Sequence, residues 1–160
     1  MEFRIAARDD VPAVLALLAD DDLSRERGFG EVPAEIGPGI WAAFEAIEAD
    51  PHNELIVAVQ DGEVVGTCQL TYLPGLSRGG AWRMQVEAVR IHAGRRGRGL
   101  GAEMMRWTIE RARERGCRMV QLTSDKKRVD AHRFYERLGF ARSHEGMKLT
   151  LAPEGGTTRA

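Results

Sequence analysis

The sequence predicts a mixed α/β sheet. Three observations carry that expectation: strand-type alternation at the N-terminus, a tight hairpin signal at Asp61-Gly62, and strands alternating with amphipathic helical stretches from residue 82 onward. At 160 residues the chain suits one domain with a sizeable core, expected over residues 1–151, with a frayed tail at 152–160. The apolar fraction of 43% and charged fraction of 29% are those of an ordinary globular protein. No apolar run approaches the roughly 20 residues a membrane helix needs. "MEFRIAARDD" lacks the apolar core of a signal peptide, so a cytoplasmic location and no membrane partner are expected.

In chain order, "EFRIAA" reads as a first strand. Asp9 or Asp10 is expected to cap a helix carrying Val14, Leu15, Leu17 and Leu18, with Pro12 tolerated in the first turn. "DDDLSRERGFGEVPAEIGPG" is polar and rich in Gly and Pro, hence a loop. "IWAAFEAIEAD" is a short amphipathic helix with Ile40, Phe44 and Ile47 on one face. "ELIVAVQ" and "EVVGTCQLTYL" flank Asp-Gly, the strongest short hairpin signal. "LPGLSRGGA" is a loop, and "WRMQVEAVRIH" is a third long strand. Its alternation puts Gln85, Glu87, Val89 and Ile91 on one face and Met84, Val86 and Ala88 on the other. A helix follows from about Leu100 to Arg115, lined by Met105, Ile109 and Ala112 and stopped by Gly116. "RMVQLTS" is a strand and "DAHRFYERLGF" a compact helix, with Asp130 as cap and Val129 stapled to Phe134. Gly139 ends that helix, and "EGMKLTL" is expected to close the sheet.

Charge is unevenly spread. Residues 1–80 hold 15 Asp/Glu against 5 Lys/Arg, and residues 81–160 hold 9 against 18. Two solvated faces of one fold account for this, and so does a site where an anion meets one half and a cation the other. Cys68 and Cys117 form no disulfide framework and read as free thiols; His52, His92, His132 and His144 show no metal spacing, so no metal is expected.

The stretch "RRGRGLGAEMMRW" places alternating glycines before a helix with no Ser, Thr, Asp or Asn to cap it. A flexible loop with solvated arginines leaves the alternation unexplained. Dinucleotide binding fits Gly97-Arg98-Gly99-Leu100-Gly101-Ala102 formally, but His92 to Arg96 separate the strand from the first glycine, and too little chain follows for a nicotinamide half. Nucleic-acid binding is disfavoured by the 6% aromatic content and by helix arginines interleaved with Glu103, Glu110 and Glu114. The fourth reading is anion binding: glycines admit a close approach, and exposed N–H groups with the helix dipole favour negative charge. The ligand then replaces the missing cap, as a pyrophosphate whose trailing arm pairs with the preceding strand.

Arg96-Gly97-Arg98-Gly99-Leu100-Gly101 fits the Q/R-x-x-G-x-G/A signature, and "FYERLGF" is similar to a characteristic helix end, of the GNAT (Gcn5-related) N-acetyltransferase family. The resemblance covers nearly the whole chain. It implies the acyl-CoA N-acyltransferase fold, a mostly antiparallel mixed sheet whose central parallel strands splay apart between flanking helices. It implies acetyl-CoA as co-substrate, with the pyrophosphate on the backbone of Arg96, Gly97, Arg98, Gly99, Leu100, Gly101 and Ala102. The pantetheine arm would pair with Val89, Arg90 and Ile91, and the Val89 N–H, or a neighbour's, would polarise the thioester. Tyr135 matches the tyrosine that protonates the departing thiolate; a half-buried tyrosine at the core edge is the competing reading.

Glu87 is the candidate base, since the acceptor amine must lose a proton before attack. An ion pair with Arg83 or Arg90, or a purely substrate-binding role, competes for it. Gln85 on the same face would orient substrate. Arg128 stands where many members carry Asn, and would reach a coenzyme phosphate instead. The implied activity is acetyl transfer to a primary amine, on a small molecule or a peptide, by direct attack in a ternary complex. The alternative is a non-catalytic acyl-CoA-binding or regulatory module. Asp20, Asp21, Asp22 and Glu26 would steer a cationic acceptor, and the family leaves a homodimer open.

Overall fold

Asp61 and Gly62 adopt φ of +53° and +81°, the left-handed pair a two-residue hairpin demands. They join β2 (Asn53–Gln60) to β3 (Glu63–Leu73). In this computed structural model, which describes residues 1–20, 32 and 35–151, that hairpin is the centre of a five-stranded sheet. Its order is β1 (Glu2–Ile5), β2, β3, β4 (Trp82–Ile91), β5 (Cys117–Leu122), antiparallel except for the parallel β4–β5 junction. A mixed sheet is therefore what forms. Four helices of nine or more residues accompany it among the described residues: α1 (Val11–Ala19), α2 (Pro38–Ala49), α3 (Leu100–Glu114) and α4 (Val129–Arg137); a single irregular turn, Ser77–Gly80, interrupts the loop before β4. The chain divides into two compact units, Met1–Ser124 and Asp125 onward.

Register fixes which side chains share a face of the first unit's sheet. Ile56, Cys68, Leu70, Tyr72, Met84 and Val86 lie on one side and are buried. Against that side packs α3, through Met104, Met105, Thr108 and Ala112, with Cys68 Sγ 3.9 Å from Thr108 Oγ1 and Phe3 stacked on Trp107. Removing each such aliphatic side chain from water contributes about 1.5–3 kcal/mol. On the opposite side Val57 clusters with Val14 of α1 and Ala6.

Glu54 faces α3 at the edge of this core, only 6% exposed. Arg111 donates two hydrogen bonds to its carboxylate, at 2.7 and 3.1 Å, and Tyr72 Oη donates a third at 2.8 Å. Burial pushes the Glu54 carboxyl up, but these donors and the charges of Arg111 and Arg115 bring it below its ordinary value. The same contact raises the Arg111 pKa, and burial together with Glu54 pushes the Tyr72 phenol up to about 12.

The structure corrects four local expectations. Asp10 stands at the start of α1, but its carboxylate turns back to accept from the Ala7 N–H at 2.7 Å and to pair with Arg4 at 2.6 Å, so it caps nothing in α1. Asp130 lies inside the first turn of α4, which begins after Arg128, and Val129 is exposed rather than stapled. "EGMKLTL" forms no strand, and Met147, Leu149 and Leu151 are 93%, 86% and 81% exposed. Alternation states which residues would share a strand face, but it does not supply a partner edge. The fourth concerns β4. Gln69 pairs with Glu87 but Thr67 with Arg90, so β4 carries one extra residue, and Ala88 takes a φ of +53°. This bulge shifts the alternation, putting Glu87 on one face with Gln85 and Arg90 and Ile91 on the other. The loop expected after α1 falls largely, and the tail from residue 152 wholly, outside the described residues.

Candidate active site

β5 pairs with β4 only from Trp82 to Val86. Beyond that point residues 87–91 of β4 keep β3 on one side and have no strand on the other among the described residues, which leaves an open strand edge. On this stretch the Val89 carbonyl accepts from Arg90 Nη1 at 2.9 Å and the Ile91 carbonyl from Arg96 Nε at 3.0 Å. The bulge at Ala88 sits at the opening. A non-glycine residue in the left-handed region is strained, and such strain collects at functional sites.

The chain leaves β4 through His92, makes one 3-10 turn at Ala93–Arg95, and enters α3 through the glycine stretch. Gly97 and Gly99 have φ of +76° and +83°, values that other residues adopt only with strain, and an added Cβ at either would point into open space. Gly99 occupies the cap position of α3 and no side chain caps the helix. The Arg96 N–H is taken by the Ala93 carbonyl at 3.2 Å. From Gly97 to Ala102 no backbone N–H donates to a described partner, leaving consecutive donors at the positive end of a 15-residue helix.

The three arginines here divide their work. Arg95 leans to Glu63 at 3.5 Å. Arg96 donates from Nε to the Ile91 carbonyl at 3.0 Å and from Nη2 to the Asp20 carbonyl at 2.9 Å. The Asp20 carboxylate in turn accepts from the Ala93 N–H at 3.2 Å. Asp20 thus ties the end of α1 to the glycine turn, a task invisible in its acidic run; Asp21, Asp22 and Glu26 lie outside the described residues. Arg98 makes no ion pair or hydrogen bond with a described residue.

Glu87 is exposed and its carboxylate has no partner among the described residues; the ion pair with Arg83 or Arg90 does not form. Around it the bulged face of the sheet is polar. Asn53, Thr71, Gln85 and Gln121 stand in register across β2, β3, β4 and β5, and Gln69 is directly opposite Glu87. Gln121 Nε2 donates to Gln85 Oε1 at 2.7 Å, while Thr71 Oγ1 and Gln69 Nε2 both donate to Asn53 Oδ1, at 2.9 and 3.3 Å. Sequence inspection found Gln85 but missed Gln69 and Gln121, because only strand register brings them to it.

Cys68 is buried and burial pushes its thiol up to about 12, and burial also raises Cys117. Neither is poised as a thiolate. In the second unit, Tyr135 is half-buried on α4, edge-on to Phe134 and Phe140 with ring centroids 5.1 and 5.8 Å away. Arg128 occupies the cap position of α4, its N–H bonded to the Asp125 carbonyl at 3.0 Å.

A mixed sheet that opens at one parallel junction beside an uncapped glycine turn is the architecture of the GNAT acetyltransferases. The profile of the Acetyltransferase (GNAT) family matches residues 18–140, and the chain belongs to that family. Aminoalkylphosphonate N-acetyltransferase of Salmonella typhimurium is 30% identical over 143 residues, covering 89% of this chain and 86% of that protein. Among solved structures, a Bacillus halodurans C-125 protein described as a transcriptional regulator superimposes with a TM-score of 0.89 at 45% identity, over 94% of this chain and 99% of its own. An Agrobacterium tumefaciens C58 putative acetyltransferase does so with a TM-score of 0.80 at 28% identity, over 94% and 100%.

Proposed function

We propose that this protein transfers the acetyl group of acetyl-CoA to a primary amine within a ternary complex. One observation carries the reading: the run of unengaged N–H groups from Gly97 to Ala102 beside the open β4 edge at residues 87–91. The residues fit the coenzyme. Successive N–H groups, the α3 dipole and Arg98 suit a pyrophosphate, and the β4 edge at Val89, Arg90 and Ile91 suits an amide-bearing arm that adds like a strand. Acetyl-CoA supplies an activated acyl group. The Val89 N–H stabilises negative charge developing on the acyl oxygen. Glu87 accepts the ammonium proton, directly or through water, and so exposes the nitrogen lone pair. Tyr135, by the family motif, donates its phenolic proton to the leaving thiolate. Arg128 adds charge for a coenzyme phosphate. The raised thiol pKa values of Cys68 and Cys117 support direct transfer over an acyl-cysteine route.

The acceptor class is a small amine, as the name of the Salmonella relative suggests for that protein. Calorimetry with acetyl-CoA, followed by thiol release on mixing with an amine panel, tests the reading. Coenzyme binding with amine-dependent thiol release is expected; no binding overturns it. A second reading, a coenzyme-binding regulatory module, is favoured by the description of the Bacillus halodurans neighbour. Tight binding without turnover of any amine would select it.

A further inference from the structure

The polar row beside Glu87 is anchored at one end by the Asp50 carboxylate. Asn53 Nδ2 donates to Asp50 Oδ2 at 2.6 Å, and an ionised carboxylate can only accept. The side-chain carbonyl of Asn53 therefore faces the sheet, where it receives Thr71 Oγ1 and Gln69 Nε2. With its NH2 end committed, Gln69 presents its carbonyl oxygen, directly across the strand pair from Glu87. Gln85 is turned the other way. Its carbonyl accepts from Gln121 at 2.7 Å, so its NH2 end, with two donors, is the end presented. Gln69, Gln85 and Gln121 are all partly exposed, so a solute can reach them.

We infer that this face selects an amine that also carries an uncharged oxygen acceptor, such as a carboxamide or hydroxyl, a few bonds from the nitrogen. The inference rests on the acetyl-transfer reading and names its acceptor class. Glu87 and Gln69 Oε1 are two acceptors on adjacent strands about 5 Å apart, matched to an ammonium group. Gln85 lies two residues from Glu87 on the same face, about 7 Å along the strand, and donates to the oxygen. No cation stands in these two rows; Arg90, on the same face and opposite Thr67 in the next row, donates its Nη1 to the Val89 carbonyl at 2.9 Å. Arg83 is four residues from Glu87, about 13 Å away, beyond the reach of a small amine anchored there. A second anionic group lying along the Gln85 row would meet neutral amides beside the Glu87 carboxylate.

Three matched amines test this on the full chain with saturating acetyl-CoA: butylamine, β-alaninamide and 2-aminoethylphosphonate. A kcat/KM for β-alaninamide about 10- to 100-fold above both others supports the inference, one unmade hydrogen bond being worth that factor. Parity with butylamine, or preference for the phosphonate, overturns it. Gln85→Leu and Gln121→Leu, checked for folding by melting, should collapse the ratio of β-alaninamide to butylamine through KM; an unchanged ratio in both overturns it. If no amine is turned over although the coenzyme binds, the acetyl-transfer reading fails by itself. The same three affinities, measured by titration of the coenzyme complex, then decide the selectivity, and equal affinities overturn it.

Discussion

Glu87 and Glu54 illustrate what a carboxylate does when left open and when enclosed. Glu87 stands exposed and unpartnered beside the open β4 edge, so its removal should cost chemistry and little stability. Glu87→Gln is expected to lower kcat by about 10²-fold or more at unchanged coenzyme affinity and melting temperature. A rise in KM with kcat preserved would reassign it to acceptor binding. Tyr135→Phe should likewise lower kcat, with the loss smallest when a thioester bearing a more acidic thiol is used. Glu54, by contrast, is enclosed by Arg111 and Tyr72. Glu54→Gln leaves a poorly compensated guanidinium and should cost about 2–3 kcal/mol at pH 7, moderated by the partial exposure of Arg111. A carboxyl held below its unfolded value, about 4.3, stabilises the fold above that pH and loses the contribution as acid protonates it. Urea unfolding at pH 7 and pH 3.5 should therefore show the gap between wild type and Glu54→Gln narrowing in acid.

Two elements depend on glycine for different reasons. At Gly99 an added Cβ meets nothing, so Gly99→Ala pays only for the left-handed backbone, about 1–2 kcal/mol. The same change should tilt the N–H groups of Leu100 to Ala102 and weaken coenzyme binding, read by calorimetry beside a thermal melt. At Gly66 the constraint is space: a Cβ would lie 2.7 Å from Ile91 Cδ1, 3.1 Å from the Arg90 carbonyl and 3.3 Å from Ala58 Cβ. Gly66→Ala turns the tip of the Ile91 side chain aside and asks the Arg90 carbonyl to give by a few tenths of an ångström, so it should cost about 1 kcal/mol and disturb the β4 edge proposed to hold the coenzyme arm. Strand alternation in β1 to β3, the Asp61-Gly62 turn and the Gly116 stop of α3 were legible locally, because each rests on near-neighbour sterics and periodicity. The bulge at Ala88 was not. No residue type in "VEAVRI" demands it, and it exists because β3 and β4 must realign between Gln69 and Thr67.

Across the whole molecule, protection from solvent should follow burial. Hydrogen exchange is expected to be slowest in β3 and in the parts of β2 and β4 facing α3, and fastest over residues 141–151, which form no helix or strand. Adding acetyl-CoA should protect residues 97–102 and 87–91; protection elsewhere alone would refute the proposed seat. The sequence by itself determined the order of most elements, the uncapped glycine turn and the candidacy of Glu87 and Gln85, since these follow from spacing and side-chain chemistry along one chain; the candidacy of Tyr135 came from its match to the family motif. The fold decided what no spacing encodes. Arg96 is committed to Asp20 while Arg98 stays open, and Glu87 shares its face with Arg90 rather than Ile91. Gln69 and Gln121 flank a row begun at Asp50. These partners are distant in the chain and meet only when strand register and helix packing bring them within hydrogen-bond reach.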